Sequence, residues 1–185
     1  MEILLEEEED NPHLQATARA HNRIEAIISD VLVLARLGEV VHDSSMISLD
    51  VAVRDSWQMV SHERAELVLD GALGNLLADF ERLCALLENL FRNAIEHGGE
   101  ETVVTVGLLD GGRGFYVADD GHGIAAEERA QIFEYGYTTA TTGTGFGLPI
   151  VKLIAEAHGW QVRVTDSETG GARFEILTSP AIDGA

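Results

Sequence analysis

Apolar residues in the first forty positions of the chain recur with helical spacing. They are separated by three or four residues and therefore form one apolar stripe. The stripe comprises Ile24, Ile27, Ile28, Val31, Leu34 and Ala35. The pattern predicts one long helix from Pro12 to Leu37, which Gly38 ends. Because a lone amphipathic helix is not stable with its apolar face in water, this helix needs a partner.

Beyond residue 40 the pattern alternates between short β-rich runs and helical runs. It predicts a strand and a helix within 46–60, strands within 65–71 and 74–78, and a helix from the N-cap Asp79 to about His97. It then predicts a hairpin over 102–119, a helix from Ala125 to Phe133, a helix from Leu148 to His158 and a second hairpin over 160–178. Such a mixture predicts an α+β domain with helices on one face of a sheet.

A domain boundary is predicted between Gly38 and Met46, where the helical pattern stops. The chain then divides into three segments. Residues 1–40 form an acidic leader and the long helix, 46–178 form the main domain, and 179–185 form a tail.

The charge is strongly negative, with 12 basic and 32 acidic side chains and a net charge of −20. Such a surface repels nucleic acid and anionic membranes. No apolar run reaches the roughly 18 residues of a membrane span, and the start is acidic where a secretory signal would be basic, so we expect a cytoplasmic chain. The single Cys84 excludes a disulfide framework. This acidic composition resembles that of proteins from salt-loving microbes.

Two asparagines lie one turn apart in the predicted helix after Asp79. Asn89 and Asn93 share a face that differs from the apolar one, and His97 follows a turn later. Asparagine is unfavourable inside a helix, so the pair is either an exposed polar face or a polar ledge with a function. An amide oxygen is a hard, neutral ligand that suits Mg²⁺.

Two glycine-containing segments follow. In "YVADDGHGI" a strand ends at Asp119, and Gly121 and Gly123 come next. This is either a plain Asp-Gly turn or a place where a carboxylate meets a purine amine beside bare backbone. In "TTGTGFGLPIV" three glycines precede a helix, which is either a flexible linker or an anion site at a helix N-terminus. The second segment is neither a Walker A loop nor a dinucleotide fingerprint.

The order and spacing of these motifs are more specific than any one of them. An Asn-x-x-x-Asn helix, a D-x-G-x-G turn, a Phe-centred segment and a GTGxGL loop occur within about sixty residues. This arrangement resembles the ATP-binding domain of sensor histidine kinases, whose superfamily includes DNA gyrase, the heat-shock chaperone ATPase and mismatch-repair ATPases. The resemblance covers roughly Met46 to Thr178, and the tail "GLPIVKLIAEAHGWQVRVTDSETGGARFEI" resembles the kinase branch.

The resemblance implies a two-layer α/β sandwich, a mixed sheet with helices on one face, that holds ATP and Mg²⁺ under a lid. It implies that Asn93 binds the metal, that Asn89 helps to hold the phosphates and that Asp119 accepts a hydrogen bond from the adenine amine. Phe133 would anchor the lid. The other residues implied to contact the nucleotide are His97, Gly121, Gly123, Ile124, Thr139, Gly143, Thr144, Gly145, Gly147 and Leu148.

Two positions refine what the resemblance implies. Hydrolytic relatives carry a Glu where this chain has Asn89, which cannot act as a base, so phosphoryl transfer is favoured over hydrolysis. Kinases often place a Lys where this chain has Glu96, and Arg92 or His97 is left to supply the positive charge.

A histidine kinase also needs a phosphoacceptor histidine, and none is recognisable here. His42 and His62 are each followed by an acid but lack the expected proline, and His13 and His21 on the long helix are not followed by an acid. The long helix resembles the second helix of the family's dimerisation hairpin, or else it is an accessory helix. The implied partners are a separate histidine phosphoacceptor/dimerisation domain and a response regulator, with a possible homodimer through the long helix.

The sequence leaves three candidate functions for this chain. The first is the catalytic domain of a histidine kinase, acting on a histidine that this chain lacks. The second is a serine kinase of the anti-sigma type, and the third is a non-catalytic nucleotide-sensing dimerisation module. Phosphate transfer to an added acceptor domain would separate the kinase from the sensor.

Overall fold

The computed structural model describes residues 44–60, 64–99, 101–138, 144–178 and 182. The predicted long helix, Pro12 to Leu37, and the rest of the segment 1–40 lie outside these residues. In chain order the described elements are β1 (Ser45–Ser48), α1 (Leu49–Val60), β2 (Glu66–Asp70), β3 (Asn75–Ala78), α2 (Phe80–Gly98), β4 (Val103–Leu108), β5 (Gly114–Asp119), α3 (Gly147–Ala157), β6 (Gln161–Asp166) and β7 (Ala172–Leu177).

The described strands form two sheets. The larger sheet has the order β2-β4-β5-β7-β6, in which β2 pairs parallel to β4 and the other neighbours are antiparallel. The smaller sheet pairs β1 with β3 antiparallel. The predicted α+β fold with helices packed on a mixed sheet is therefore confirmed, whereas the parallel β2–β4 pair was not predicted.

The main core lies between the helices and one face of the larger sheet. Helix α2 contributes the stripe that its periodicity predicts, because Leu83, Leu86, Leu87, Leu90 and Ala94 are all buried. Alternate residues of the central strands face this stripe, as expected for strands with one buried face. These strand residues are Val104, Val106, Phe115, Val117, Phe174 and Ile176.

The opposite face of the sheet carries a small polar and aromatic cluster. Tyr116 donates a hydrogen bond of 2.7 Å to Asp70, and the guanidinium of Arg173 lies 3.5 Å from the centre of the Tyr116 ring. Glu175 on β7 pairs with Arg173 on the same strand and with Arg163 on β6. This face is separate from the cavity described below.

One predicted helix is wrong. The segment from Ala125 to Phe133 consists of consecutive turns and a single 3₁₀ turn, Gln131–Phe133. Its backbone hydrogen bonds mix three-residue and four-residue spacings, as in Gln131 N–H to Glu128 and Ile132 N–H to Glu128. So short a segment has too few bonds to offset the cost of helix nucleation, and its local contacts determine its path instead.

Helices α2 and α3 are joined at their ends by a partly buried histidine, His158. The Asp79 side chain caps α2 by accepting a hydrogen bond of 3.1 Å from the Arg82 N–H. The Asp79 backbone N–H donates to Nε2 of His158, and Nδ1 of His158 donates to the Ile154 carbonyl at 2.8 Å. The two bonds require the neutral ring with its proton on Nδ1. The ring also stacks on Trp160, with 4.3 Å between centroids.

We expect His158 to make the stability of the protein depend on pH. Burial lowers the pKa of His158, although its hydrogen bond to Ile154 acts in the opposite direction. The contribution of neutral His158 to stability is complete above the unfolded-state histidine pKa of about 6.5. It is lost as pH falls from there toward the lowered pKa of His158 in the folded state. One such group changes the free energy of unfolding by at most about 1.4 kcal/mol per pH unit.

Urea unfolding of the wild-type protein and of His158→Gln between about pH 5 and about pH 8 measures this effect. The variant should be less stable at the upper end and should show a flatter dependence on pH. Equal slopes for the two proteins would contradict the assignment.

None of the helices formed by the described residues has the length and apolar character needed to cross a membrane.

Candidate active site

A cavity of about 500 Å³ lies beside α2, between the turn that follows β5 and the start of α3. Ten of the fourteen residues predicted to form a nucleotide site line it. Helix α2 contributes Asn89, Asn93 and His97, and the end of β5 and its turn contribute Asp119, Gly123 and Ile124. The segment before α3 contributes Thr144 and Gly145, and the start of α3 contributes Gly147 and Leu148. The cavity therefore brings together predicted residues that are up to about sixty positions apart in the sequence.

The other four predicted residues do not line the cavity. Gly121 lies behind it, where its N–H binds Asp119 and a Cβ would come within 2.9 Å of the Gly98 Cα. Phe133 packs against the hydrophobic core. Thr139 and Gly143 lie outside the described residues.

Asp119 is the buried carboxylate of the cavity, with 6% of its surface exposed. One of its oxygens, Oδ1, accepts hydrogen bonds from the backbone N–H groups of Gly121 at 2.9 Å and Ala172 at 3.0 Å. Burial raises the pKa of Asp119, and these two donors oppose the increase. The carboxylate is thus fixed through Oδ1, and Oδ2 can accept a hydrogen bond from a ligand in the cavity.

The neighbouring Asp120 has a different role. Its Oδ1 accepts a hydrogen bond of 3.0 Å from the Val103 N–H at the start of β4, and its side chain does not line the cavity. Of the two consecutive aspartates at the end of β5, only Asp119 is therefore placed to meet a ligand.

The asparagine pair of α2 faces the N-terminus of α3. Asn89 is 8% exposed, and its Nδ2 donates to the Ala85 carbonyl at 2.8 Å. Its Oδ1 lies 3.1 Å from the position that a Cβ on Gly147 would occupy, so a larger residue at 147 would crowd this oxygen. Asn93 lines the cavity one turn further along α2. Two amide groups and the first N–H groups of a helix therefore lie at one end of the cavity, an arrangement suited to phosphate.

Gly145 adopts a backbone conformation that only glycine takes readily. Its φ is +73°, and an added Cβ would lie 2.7 Å from the carbonyl carbon of Gly136. The Gly136 N–H also donates to the Gly145 carbonyl at 2.9 Å. Gly136 and Gly145 are therefore in direct contact at the edge of the cavity.

Charged and titratable side chains along the cavity have both signs. The positive or titratable groups are Arg92, His97 and His122, and the acidic groups besides Asp119 are Glu96 and Glu128. Both sequence candidates for a phosphate-neutralising charge, Arg92 and His97, thus reach the cavity.

Glu88 does not line the cavity. Burial raises the pKa of Glu88, and the nearby Arg92 opposes this increase. The position nearest in sequence to Asn89 therefore offers no base to the cavity.

Several lining residues were not predicted from the sequence. Tyr137 donates a hydrogen bond of 2.9 Å to Glu128, which raises the pKa of the Tyr137 hydroxyl. Ala172 begins β7 and is brought to the cavity by strand pairing, which no local motif indicates. The remaining unpredicted lining residues are Ile95, His122, Glu128, Ile132 and Thr138. Of these, only His122, inside the D-x-G-x-G turn, carried a local sequence signal.

Comparison with known proteins agrees with this geometry. The family model for histidine kinase-, DNA gyrase B-, and HSP90-like ATPases matches residues 78–182, more than half of the chain. These residues include α2, the turn after β5 and the start of α3. The chain therefore belongs to this family of ATPases.

The relatives include proteins named as sensor histidine kinases and sensor proteins. The chain is 32% identical over 170 residues to the sensor histidine kinase ZraS of Escherichia coli O157:H7, covering 88% of this chain and 37% of ZraS. It is 35% identical over 175 residues to the sensor protein RstB of Escherichia coli K12, covering 88% of this chain and 40% of RstB. The chain thus spans less than half the length of these relatives.

Solved structures show the same fold. Full-length ShkA, determined in complex with AMPPNP, has a TM-score of 0.71 and 32% identity, with coverage of 94% of this chain and 39% of ShkA. The catalytic domain of histidine kinase ThkA has a TM-score of 0.62 and 26% identity, with coverage of 73% of this chain and 94% of ThkA.

Proposed function

We propose that this chain binds Mg-ATP and serves as the catalytic domain of a histidine kinase of a two-component system. The observation that carries the proposal is that Asp119, the Asn89–Asn93 pair and the N-terminus of α3 line one and the same cavity. The buried carboxylate suits an adenine amine, and the amides together with the helix N-terminus suit phosphates. Together these groups fit an adenine nucleotide.

The residues present also fit Mg²⁺. The described residues bring together no group of three His, Cys, Asp or Glu side chains that could hold a metal by itself. Mg²⁺ commonly takes one or two protein oxygens and obtains its other ligands from phosphates and water, which the amide of Asn93 would allow. When bound, the ion neutralises charge on the phosphates. Asn93 would hold it, and Asn89 would help to position the phosphates.

The reaction we propose is transfer of the γ-phosphoryl group to an imidazole nitrogen of a histidine on a separate acceptor domain. The bond from the γ-phosphorus to the bridging oxygen breaks, a phosphorus–nitrogen bond forms, and ADP leaves. Asn89 cannot act as a base, and Glu88 does not line the cavity, which favours transfer over hydrolysis. We place this reaction in the cytoplasm, with a response regulator as the next phosphate acceptor.

Incubation with γ-labelled ATP and Mg²⁺ tests the proposal, at low and at high salt because the composition is acidic. We expect no label on the pure chain and acid-labile label on an added histidine phosphoacceptor domain. Acid-stable label on a serine of a partner would favour the anti-sigma type of kinase. Nucleotide binding without any transfer would favour a sensing module.

We expect Asn93→Ala to lower phosphoryl transfer about 100-fold, because an oxygen that positions the metal and phosphates is removed. Asn75→Ala provides the matched control, since Asn75 is exposed on β3 and does not line the cavity. Initial rates of label transfer to the acceptor domain measure both variants. A fall of less than about threefold for Asn93→Ala would argue against its role.

A further inference from the structure

The turn between β6 and β7 holds Asp119 from behind. The Ala172 N–H donates to Asp119 Oδ1 at 3.0 Å, and the Thr169 hydroxyl donates to the Asp119 backbone carbonyl at 3.2 Å. A Cβ on Gly171 would lie 2.2 Å from both the carbonyl oxygen and Oδ1 of Asp119. The turn is therefore in direct contact with both the side chain and the backbone of this aspartate.

The turn has its own hydrogen bonds, which fix the Thr169 hydroxyl. The Ser167 N–H donates to the Gly171 carbonyl at 2.8 Å, and the Gly170 N–H donates to the Ser167 carbonyl at 3.1 Å. The hydroxyls of Ser167 and Thr169 are 2.9 Å apart. Since the Thr169 hydroxyl donates to Asp119, Ser167 is the donor in this pair. The result is a continuous path from Ser167 through Thr169 to Asp119.

Arg129 connects the loop that follows β5 to the same hairpin. Its Nε donates to the Ile124 carbonyl at 3.0 Å, and its terminal nitrogen pairs with Asp166 at the end of β6. Asp166 is 76% exposed, so this ion pair contributes little to stability. Through its two hydrogen bonds, the planar guanidinium group instead links the loop that carries Ile124 to the strand that leads into the turn.

We propose that Thr169 and Arg129 are positioning residues for adenine recognition, an inference that rests on the proposed function. Thr169 holds Asp119 in the position in which its Oδ2 accepts a hydrogen bond from the adenine amine. Arg129 sets the place of Ile124, which lines the cavity beside it. Neither acts on the phosphates, so their effect is confined to recognition of the base.

Calorimetry tests this proposal by comparing two ligands, ADP and purine riboside 5′-diphosphate, which lacks only the amine. The measured quantity is the ratio of the two affinities. The wild-type protein should prefer ADP about tenfold or more, the value of one hydrogen bond to a charged group. Thr169→Val should reduce the preference to about threefold or less, because it removes the donor to Asp119. Thr169→Ser keeps the hydroxyl and should restore the preference. A general loss of structure would weaken both ligands equally and leave the ratio unchanged.

Arg129→Gln should also reduce the ratio, and Arg163→Gln is its matched control. Arg163 is an equally charged residue, paired with Glu175 away from the cavity, and its replacement should leave the ratio as it is. Unchanged ratios in both Thr169→Val and Arg129→Gln would overturn the positioning role. A wild-type protein that does not distinguish the two ligands would instead overturn the proposed adenine contact of Asp119.

Discussion

Asp119→Asn should abolish binding of adenine nucleotides while the fold remains intact. Asparagine can keep its oxygen at the place of Oδ1, where it accepts from the Gly121 and Ala172 N–H groups. Its amide nitrogen then replaces Oδ2 and presents hydrogen to an adenine amine that also donates. The variant loses a hydrogen bond to a charged group, and its amide N–H faces the N–H of the adenine amine. Together these two effects should weaken binding roughly 100-fold or more.

The same substitution should not destabilise the unliganded protein at neutral pH. Burial raises the pKa of Asp119, so this carboxyl favours folding below its unfolded-state pKa and loses that contribution as pH rises through the folded-state pKa. A neutral amide is free of this dependence. Thermal unfolding at about pH 7 should therefore give a melting temperature at least equal to that of the wild-type protein.

Asp120→Asn is the matched control, because it makes the same chemical change at the next residue, outside the cavity. Calorimetric titration with ADP should show wild-type affinity for this control. Full affinity in a folded Asp119→Asn protein would mean that Asp119 does not accept a hydrogen bond from adenine.

The second large effect is expected for Gly171→Ala. A methyl group there would stand 2.2 Å from two atoms of Asp119, which is far closer than packed atoms approach. Because one of those atoms belongs to the backbone, either β7 or the end of β5 must shift. We expect a loss of about 1–3 kcal/mol in the free energy of unfolding and at least a tenfold weaker affinity for ADP.

Gly170→Ala separates steric displacement from backbone strain. Gly170 has a φ of +102° and nothing within 4 Å of an added Cβ, so alanine there costs only conformational strain. Urea unfolding should show both variants destabilised, whereas titration with ADP should show weak binding only for Gly171→Ala. Equal affinities in the two variants would contradict the displacement of Asp119.

Most of the elements were determined by local sequence. The apolar period of α2, the capping aspartate Asp79 and the alternation in β4 and β5 each carry their own signal, because burial of one face imposes a fixed spacing. The segment from Ala125 to Phe133 was mispredicted as a helix because helical propensity alone does not stabilise so short a run, and its local contacts along the cavity edge decide its path.

Local sequence patterns identified only part of the candidate site. Asn89, Asn93, Asp119 and the glycines before α3 lie in recognisable local motifs, so their residue types and spacing were enough to nominate them. Thr169 and Gly171 lie in an ordinary hairpin turn and Ala172 begins β7, and only the pairing of β7 with β5 brings them against Asp119. Local spacing determines which residues share an element, whereas contacts between distant elements depend on strand order and packing, which the tertiary structure alone decides.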